Sequence, residues 1–415
     1  MKKTKLGLIF LAIIAIKSGS ANASGYSTDL YSTSGIGNSY AGSVTGIHDA
    51  SDIFHNPAIS ANLKKSQFVF SASYLDLRVD ADKANSSFAN GYKVNGLEVK
   101  DAGKNAIIPA LYLTKKLNDS LAIGLAIASP FGLATKYNKN WVGRYQTIEA
   151  SAKTININPS ISYKITDDLS FGAGAQIQYY KSKMSKAFFT GTDKDGLAKI
   201  DGDDLGYGYN LGLNYQINDN LKFGLAYKSK IDHKLNGDAT LEGLGTADLH
   251  TKFTSKTTTP ESVNTGFAYD LSETINIAYD LKWTRWSRLK SFTVNPYSLL
   301  PASTTYFNMK NSILHSLGAN FKTSEKFLVR TGIAYEKEGI TDANRGPIIP
   351  CGNRIWTSIG FNYKIANDLS LDGAYLHQFN KNNKVKIDAT PASASLYANY
   401  KNTANVFSVA IKKEF

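Results

Sequence analysis

The sequence predicts an all-β fold, a 14-stranded antiparallel transmembrane β-barrel behind an N-terminal segment of different character. Three observations predict it. Short polar turns recur roughly every 50 residues, a spacing that fits two spanning strands of about 9 to 11 residues, one turn and one long loop. The stretches between turns alternate apolar and polar residues. The chain opens on an export leader, and no later run is long and apolar enough for a membrane helix.

The leader comes first. Lys2, Lys3 and Lys5 form a positive start, Leu6 to Ile16 an apolar run, and Ala21-Asn22-Ala23 a set of small residues at the cleavage positions. Residues 1–23 therefore read as a secretory signal peptide, too short to span a bilayer, with Ser24 as the first mature residue. The slightly negative mean hydropathy suits a soluble secreted protein and a barrel alike, because barrel strands alternate lipid-facing and lumen-facing residues. The aromatic content separates the two: 24 Tyr and 20 Phe against 3 Met favour strands with aromatic girdles. Cys351 is single, so no internal disulfide contributes. The formal charge of +13 falls to 13 − 4 = +9 when Lys2, Lys3, Lys5 and Lys17 leave with the leader. Dispersed lysines on an exported chain argue against nucleic acid and favour anionic lipid and carboxylate partners.

The turns fix the strand count. They fall at Lys116–Leu121, Ile165–Leu169, Ile217–Leu221, Leu271–Ile275, Lys322–Phe327 and Ile365–Leu369. Six turns join twelve strands, and one strand before the first pair and one after the last make fourteen, an even number. Tight turns belong on the periplasmic side, which puts both chain ends there too. Ala81–Lys104, Gly191–Asp204, Asn295–Thr304 and Glu338–Gly352 read as long loops, rich in Asp, Lys, Asn, Gly and Pro. Aromatics stand beside turns at Ala226–Lys228 and Tyr269–Leu271. The last strand alternates through Phe407, Val409 and Ile411 and ends on Phe415, the pattern that barrel-assembly machinery reads.

Residues 24–65 lack alternation and are rich in Gly, Ser, Asp and Ala, ending in the turn chemistry of Asn56-Pro57-Ala58. Two readings fit: a disordered tail, or a compact plug that fills the lumen of a barrel of this size. The strand Leu121–Ala128 is interrupted by Ser129-Pro130-Phe131-Gly132. Proline cannot donate to a ladder, and a closed barrel has no edge to hide it. Either the strand ends at Ser129, or the wall has a gap there. Pro159 in the following strand is a candidate for the gap's other side.

Several segments, in order over nearly the whole mature chain, resemble the FadL family of outer-membrane long-chain fatty acid transporters. They are Ser32–Gly37 with Tyr40-Ala41-Gly42, Asn56-Pro57-Ala58, Gly132-Leu133-Ala134-Thr135, Pro260-Glu261, Trp286-Ser287, Arg330–Tyr335 and Asn344-Arg345. The resemblance implies a monomeric fourteen-stranded barrel (66–415) with an N-terminal hatch (24–65) in the bacterial outer membrane, among its lipids and lipopolysaccharide. It implies passive transport: loops capture the ligand, an apolar lumen pocket receives it, and a gap at the kinked third strand releases it sideways. By this match Ser129, Pro130, Phe131 and Gly132 form the kink, with Asn56-Pro57-Ala58 near it. Lys186 falls where the family has a basic pocket residue, and Lys310 is a second candidate for the ligand's carboxylate. Pro130 is a stronger strand breaker than the family pattern needs.

Other classes fit less well. Transport of aromatic hydrocarbons or other small apolar compounds is the alternative within the family, set by pocket shape. A general diffusion porin would lack the 24–65 segment. An enzyme would need a nucleophile elbow or a zinc-binding His-Glu-x-x-His, and neither occurs. The six histidines, His48, His55, His233, His250, His315 and His377, have no metal-ligand spacing, and no cofactor is expected.

Overall fold

The computed structural model describes residues 25–415 apart from 193, 246–247, 298–300 and 392; the predicted leader, 1–23, lies outside the described residues. The described residues form a closed antiparallel barrel of 14 staves. The first is Gln67–Asn85, the second Ala106–Lys116, and the third Leu121–Ala128 continued by Gly132–Lys136. Glu149–Lys164, Leu169–Phe189 and Asp195–Asn218 are the fourth to sixth. The seventh is Leu221–Lys228 with Ile231–Glu242, the eighth Leu249–Thr259 with Ser262–Ser272, and the ninth Ile275–Thr284. Ser312–Lys322, Phe327–Lys337, Arg354–Ala366, Leu369–Asn380 and Leu396–Glu414 complete the ring. The first stave pairs with the last from Gln67↔Glu414 onward, so no edge is left open.

All six turns lie where the sequence predicts them. The loops needed correction. Ala81–Asn85 continues the first stave, and Asp195–Asp204 belongs to the sixth, paired with the fifth from Phe189↔Asp195. These ribbons carry polar residues on both faces, so the alternation that marks a membrane strand fades while the pairing continues. Within Asn295–Thr304, the strand Ser291–Pro296 pairs with Ser303–Tyr306 as a hairpin and touches the eighth stave at Phe253↔Pro296. Tyr227 stands at a break in the seventh stave, not beside a turn.

Outward residues make an apolar belt. Ile123, Ile161, Leu211, Leu317, Ile359 and Val409 are exposed on the barrel's outside. At the turn end, Tyr163, Phe171, Tyr215, Tyr269, Phe321 and Tyr363 ring the belt; Tyr74, Tyr179, Tyr207 and Tyr335 stand further from the turns. Amphipathic rings at both borders suit the two membrane interfaces.

The segment 25–62 is packed inside the barrel and almost wholly buried. It is built from short capped turns. Ser32 caps the helix Thr33–Gly37, Asp49 the 3-10 turn Ala50–Phe54, and Asn56 the 3-10 turn Pro57–Asn62. The Asn56 side chain also donates to Val44 O (2.7 Å) and to Leu213 O of the sixth stave (2.9 Å). The backbone comes this close because the wall carries glycine there. A Cβ on Gly212 would sit 1.9 Å from Asn56 Oδ1, and one on Gly172 2.4 Å from Ala58 N. On the ninth stave, Asp280 accepts from the N–H groups of Gly42 (2.9 Å) and Val44 (3.0 Å). On the same inner wall, Arg330 pairs with Asp372 at 2.6 Å.

Asp280→Ala removes the acceptor for two buried N–H groups, each worth roughly 1–3 kcal/mol when orphaned. The expected result is a lower urea midpoint in detergent and increased leak of hydrophilic solutes. An unchanged midpoint with an unchanged leak contradicts this anchoring role.

Candidate functional site

The third stave is where the wall departs from regular pairing. Its ladder with the fourth stave runs to Ala128↔Asn156 and resumes at Gly132↔Lys153. Residues 129–131 thus oppose only Thr154 and Ile155, and the extra residue forces the chain out of the wall. On the other side, the second stave's last pair with the third is Leu111↔Ile127, leaving Ala106–Ala110 without a third-stave partner. Pro109, within that stretch, has no N–H to leave unpaired. The stave therefore neither ends at Ser129 nor runs on intact: it leaves the second stave and stays with the fourth.

The backbone freed at the break is bonded by the N-terminal residues. Thr28 N donates to Pro130 O (2.9 Å), Gly132 N to Tyr26 O (2.7 Å), and Thr28 Oγ1 to Ser129 O (2.5 Å). Ser27 and Phe131 are bridge partners. From the wall side, Phe131 N donates to Thr154 Oγ1 at 3.0 Å. The partner of the break is therefore Tyr26–Thr28. Asn56-Pro57-Ala58 docks on the fifth and sixth staves, and the turn it opens also touches the third. Pro159 pairs with Leu125, on the turn side of the break, and does not border it; the ladder to the fifth stave skips 158 and 159.

Three cavities lead to this place. The outermost is a groove of about 350 Å³ with mainly apolar walls, including Met184, Phe188, Leu241, Phe292 and Ile348. A small pocket of about 40 Å³ lies beyond it, lined by Tyr26, Leu133, Tyr180, Leu289 and Phe307, and shares Met184, Phe292 and Ile348 with the groove. The third, about 50 Å³, is bordered by Pro130 and Phe131 of the break and by Phe54 and His55 of the inner segment. Between the second and third stands an aromatic cluster. Tyr26 meets Trp286 at 5.0 Å, Phe131 at 5.7 Å and Tyr180 at 6.3 Å between ring centroids, all edge-on.

Lys186 lines the outer groove, half-buried, with no ion pair among the described residues. Lys310 is exposed and lines none of these three cavities. Two lumen cations escaped the sequence reading. Lys228 and Lys282 line the innermost chamber, and Lys282 pairs with Asp29 at 2.6 Å. Burial alone would raise the Asp29 carboxyl, but the Lys282 ammonium holds it down at about 2. Burial keeps the His55 imidazole neutral, reinforced by Lys228 and Lys282. The parity of the seventh and ninth staves carried the signal: Lys228 and Lys282 share the phase of the inward Ala226 and Asp280. Of the sequence's histidines, His48 bonds Asp52 at 3.1 Å inside the lumen, and the described residues hold no group of three or more potential metal ligands.

A sealed barrel with a filled lumen, a bridged wall break and an apolar groove defines a class, the outer-membrane transporters of hydrophobic compounds. Residues 14–415 match the family model described as outer membrane protein transport protein (OMPP1/FadL/TodX), and the chain belongs to that family. Outer membrane protein P1 of Haemophilus influenzae is 27% identical, covering 91% of this chain and 90% of its own. A long-chain fatty acid transport protein of Escherichia coli O6:H1 is 25% identical, over 88% of this chain and 89% of its own. Among solved structures, a Pseudomonas aeruginosa FadL homologue superposes with TM-score 0.86 at 23% identity, covering 95% of this chain and 100% of its own. The Pseudomonas putida toluene transporter TodX superposes at 0.69 with 17% identity, over 93% and 99%.

The loop 338–353 covers this region from the end opposite the tight turns. Ile340, Ile349 and Cys351 are buried in one apolar cluster with Tyr26 and Trp286. Pro347 O accepts from Tyr137 Oη (2.7 Å) and Pro350 O from Asn402 Nδ2 (2.8 Å). Glu338, just past the eleventh stave, has both carboxyl oxygens buried and without a hydrogen-bond partner among the described residues. Burial pushes its pKa up to about 8 against the pull of Arg354 and Arg345. A pKa raised in the folded state contributes stability that is complete below the unfolded value and lost as pH rises through about 8. Glu338→Gln should therefore flatten the loss of thermal stability between pH 5 and 9. A variant as pH-sensitive as the parent contradicts the assignment.

Proposed function

We propose that the chain carries long-chain fatty acids passively across the outer membrane. Loops capture the ligand in the outer groove, the small apolar pocket receives it, and the broken third stave releases it sideways. The observation that carries this reading is Lys186, an ammonium without an ion pair among the described residues in a mainly apolar groove of about 350 Å³. That pairing of surfaces fits a ligand with a long apolar tail and one carboxylate. Lateral release follows from the energetics: each methylene exposed in a watery pore costs about 0.8 kcal/mol. Transfer from pocket to bilayer keeps the tail out of water throughout.

In this reading residues 24–65 are the hatch and 66–415 the barrel. Tyr26–Thr28 act as a latch on the break, and the aromatic cluster around Tyr26 is the partition a ligand must displace. Both termini face the periplasm, assembly machinery reads the strand ending at Phe415, and the monomer sits among lipid and lipopolysaccharide.

The test is uptake of a labelled long-chain fatty acid by cells lacking their own transporter, at equal surface level. Deleting Pro130 leaves two residues opposite Thr154 and Ile155 and restores a regular ladder. The expected outcome is uptake by the parent and little by the deletion. Equal uptake by both overturns the lateral route, and uptake of toluene in place of the fatty acid moves the ligand to aromatic hydrocarbons. Lys186→Met should weaken fatty acid capture roughly ten-fold, the equivalent of one charged hydrogen bond; unaltered binding contradicts its role.

A further inference from the structure

We propose that the outer face of the fourth to eighth staves binds the phosphate groups of lipopolysaccharide in the outer leaflet. The proposal rests on the reading that the tight turns face the periplasm, which puts these residues on the cell-surface side. It starts from strand parity. Tyr179 and Tyr207 stand exposed on the outside of the fifth and sixth staves, in the aromatic ring far from the turns. Residues paired directly across antiparallel strands share a face, so the register carries that face from stave to stave. One outward step beyond Tyr179 lies a row formed by the pairs Lys153↔Lys181, Lys181↔Asp203, Asp203↔Asn236 and Asn236↔Thr254. The next row holds Lys183, Asp201, Asp238 and Lys252. Lys234 and Lys256 face each other one step nearer the membrane, level with Tyr179. Aromatic belts lie at headgroup level, so these rows border the headgroups.

The three rows hold six lysines against three aspartates. Lys181 (3.2 Å) and Lys183 (2.6 Å) share the one carboxylate of Asp201, and Lys252 pairs with Asp238 at 2.6 Å. Asp203 accepts from Tyr179 Oη at 2.7 Å. Lys234 and Lys256 are exposed, and their ammonium groups make no ion pair or hydrogen bond among the described residues. Like charges directly opposite weaken a ladder, and the arrangement occurs twice, at Lys234↔Lys256 and Lys153↔Lys181. A phosphate between two lysines replaces that repulsion with charge-assisted hydrogen bonds. The excess is local. Beyond Tyr74 the outward residues of the first stave and their partners on the last carry two cations, Arg78 and Lys401, against Asp76, Asp80 and Asp82. The lysines also fall into two groups, on the fourth and fifth staves and on the seventh and eighth, with the sixth stave's aspartates between. Neighbouring strands lie about 4.8 Å apart, which sets the groups roughly 10 Å from each other. A glycolipid with a phosphate at each end of a disaccharide spans that gap, and a phospholipid with one phosphate does not.

The test measures binding of the purified barrel, in neutral detergent, to three probes: lipid A with both phosphates, the same glycolipid dephosphorylated, and phosphatidylglycerol. The parent is compared with the double variants Lys234→Gln with Lys256→Gln and Lys234→Arg with Lys256→Arg. Neither lysine holds a carboxylate, so the change orphans no ion, and heat-modifiable migration confirms folded barrels. The expected result is that the Gln pair binds lipid A roughly ten-fold more weakly than the parent, while the Arg pair matches it. The dephosphorylated glycolipid should lose at least as much on the parent. Equal binding of lipid A by the parent and the Gln pair overturns the proposal, as does a parent indifferent to the phosphates. Phosphatidylglycerol bound as tightly as lipid A overturns the assignment to lipopolysaccharide. Orientation is checked separately with Tyr92→Cys, exposed in the loop between the first and second staves, against the parent whose Cys351 is buried. Failure of a membrane-impermeant maleimide to label it on whole cells overturns the periplasmic placing of the turns. Labelling together with failed lipid binding overturns the phosphate site alone.

Discussion

Inside a bilayer every backbone N–H and C=O must find a partner within the protein, at several kcal/mol for each that does not. A barrel meets this demand by closing on itself, and a break in one stave reopens it. Here the break at Ser129–Phe131 is met from inside. Pro130 O and Gly132 N are bonded by Thr28 and Tyr26, and Thr154 Oγ1 takes Phe131 N. On the facing second stave, Pro109 has no donor to lose. The wall is thus sealed by contacts to a segment that is not part of the wall.

That arrangement explains the construction of the N-terminal segment. To hold Tyr26–Thr28 against the third stave, the rest must be fixed from other directions. Asn56 anchors it to the sixth stave, Asp280 to the ninth, and the wall glycines let its backbone lie close. Asp29, next to the latch, is tied to Lys282. The break and its seal share one aromatic cluster with the apolar pocket.

Much of this was legible in the sequence. The six turns gave the stave number, and Ser129-Pro130-Phe131-Gly132 marked the break, because turn chemistry and proline act locally. The partner of the break was not legible. Tyr26–Thr28 lies about a hundred residues from Pro130, and no periodicity encodes which distant segment a freed carbonyl will meet. The match for Asn56-Pro57-Ala58 pointed to the inner segment, whose bonds to the sixth stave no local pattern encodes. Lys186 was reached through resemblance; Lys228 and Lys282 were missed because a lysine on an inward phase looks like any other until the chamber around it is known. The extended ribbons at Ala81–Asn85 and Asp195–Asp204 were read as loops for a related reason: beyond the bilayer both faces are wet, and pairing leaves no hydrophobic trace.

The most direct test of the central claim uses the bridge pair Ser27 and Phe131, whose positions as facing partners suit a disulfide. The double variant Ser27→Cys and Phe131→Cys is assayed for uptake of a long-chain fatty acid, oxidised and then reduced on the same cells. If the N-terminal residues are the removable seal, oxidation stops uptake and reduction restores it. Equal uptake in both states would contradict the account, because the ligand would then cross without the seal leaving the break.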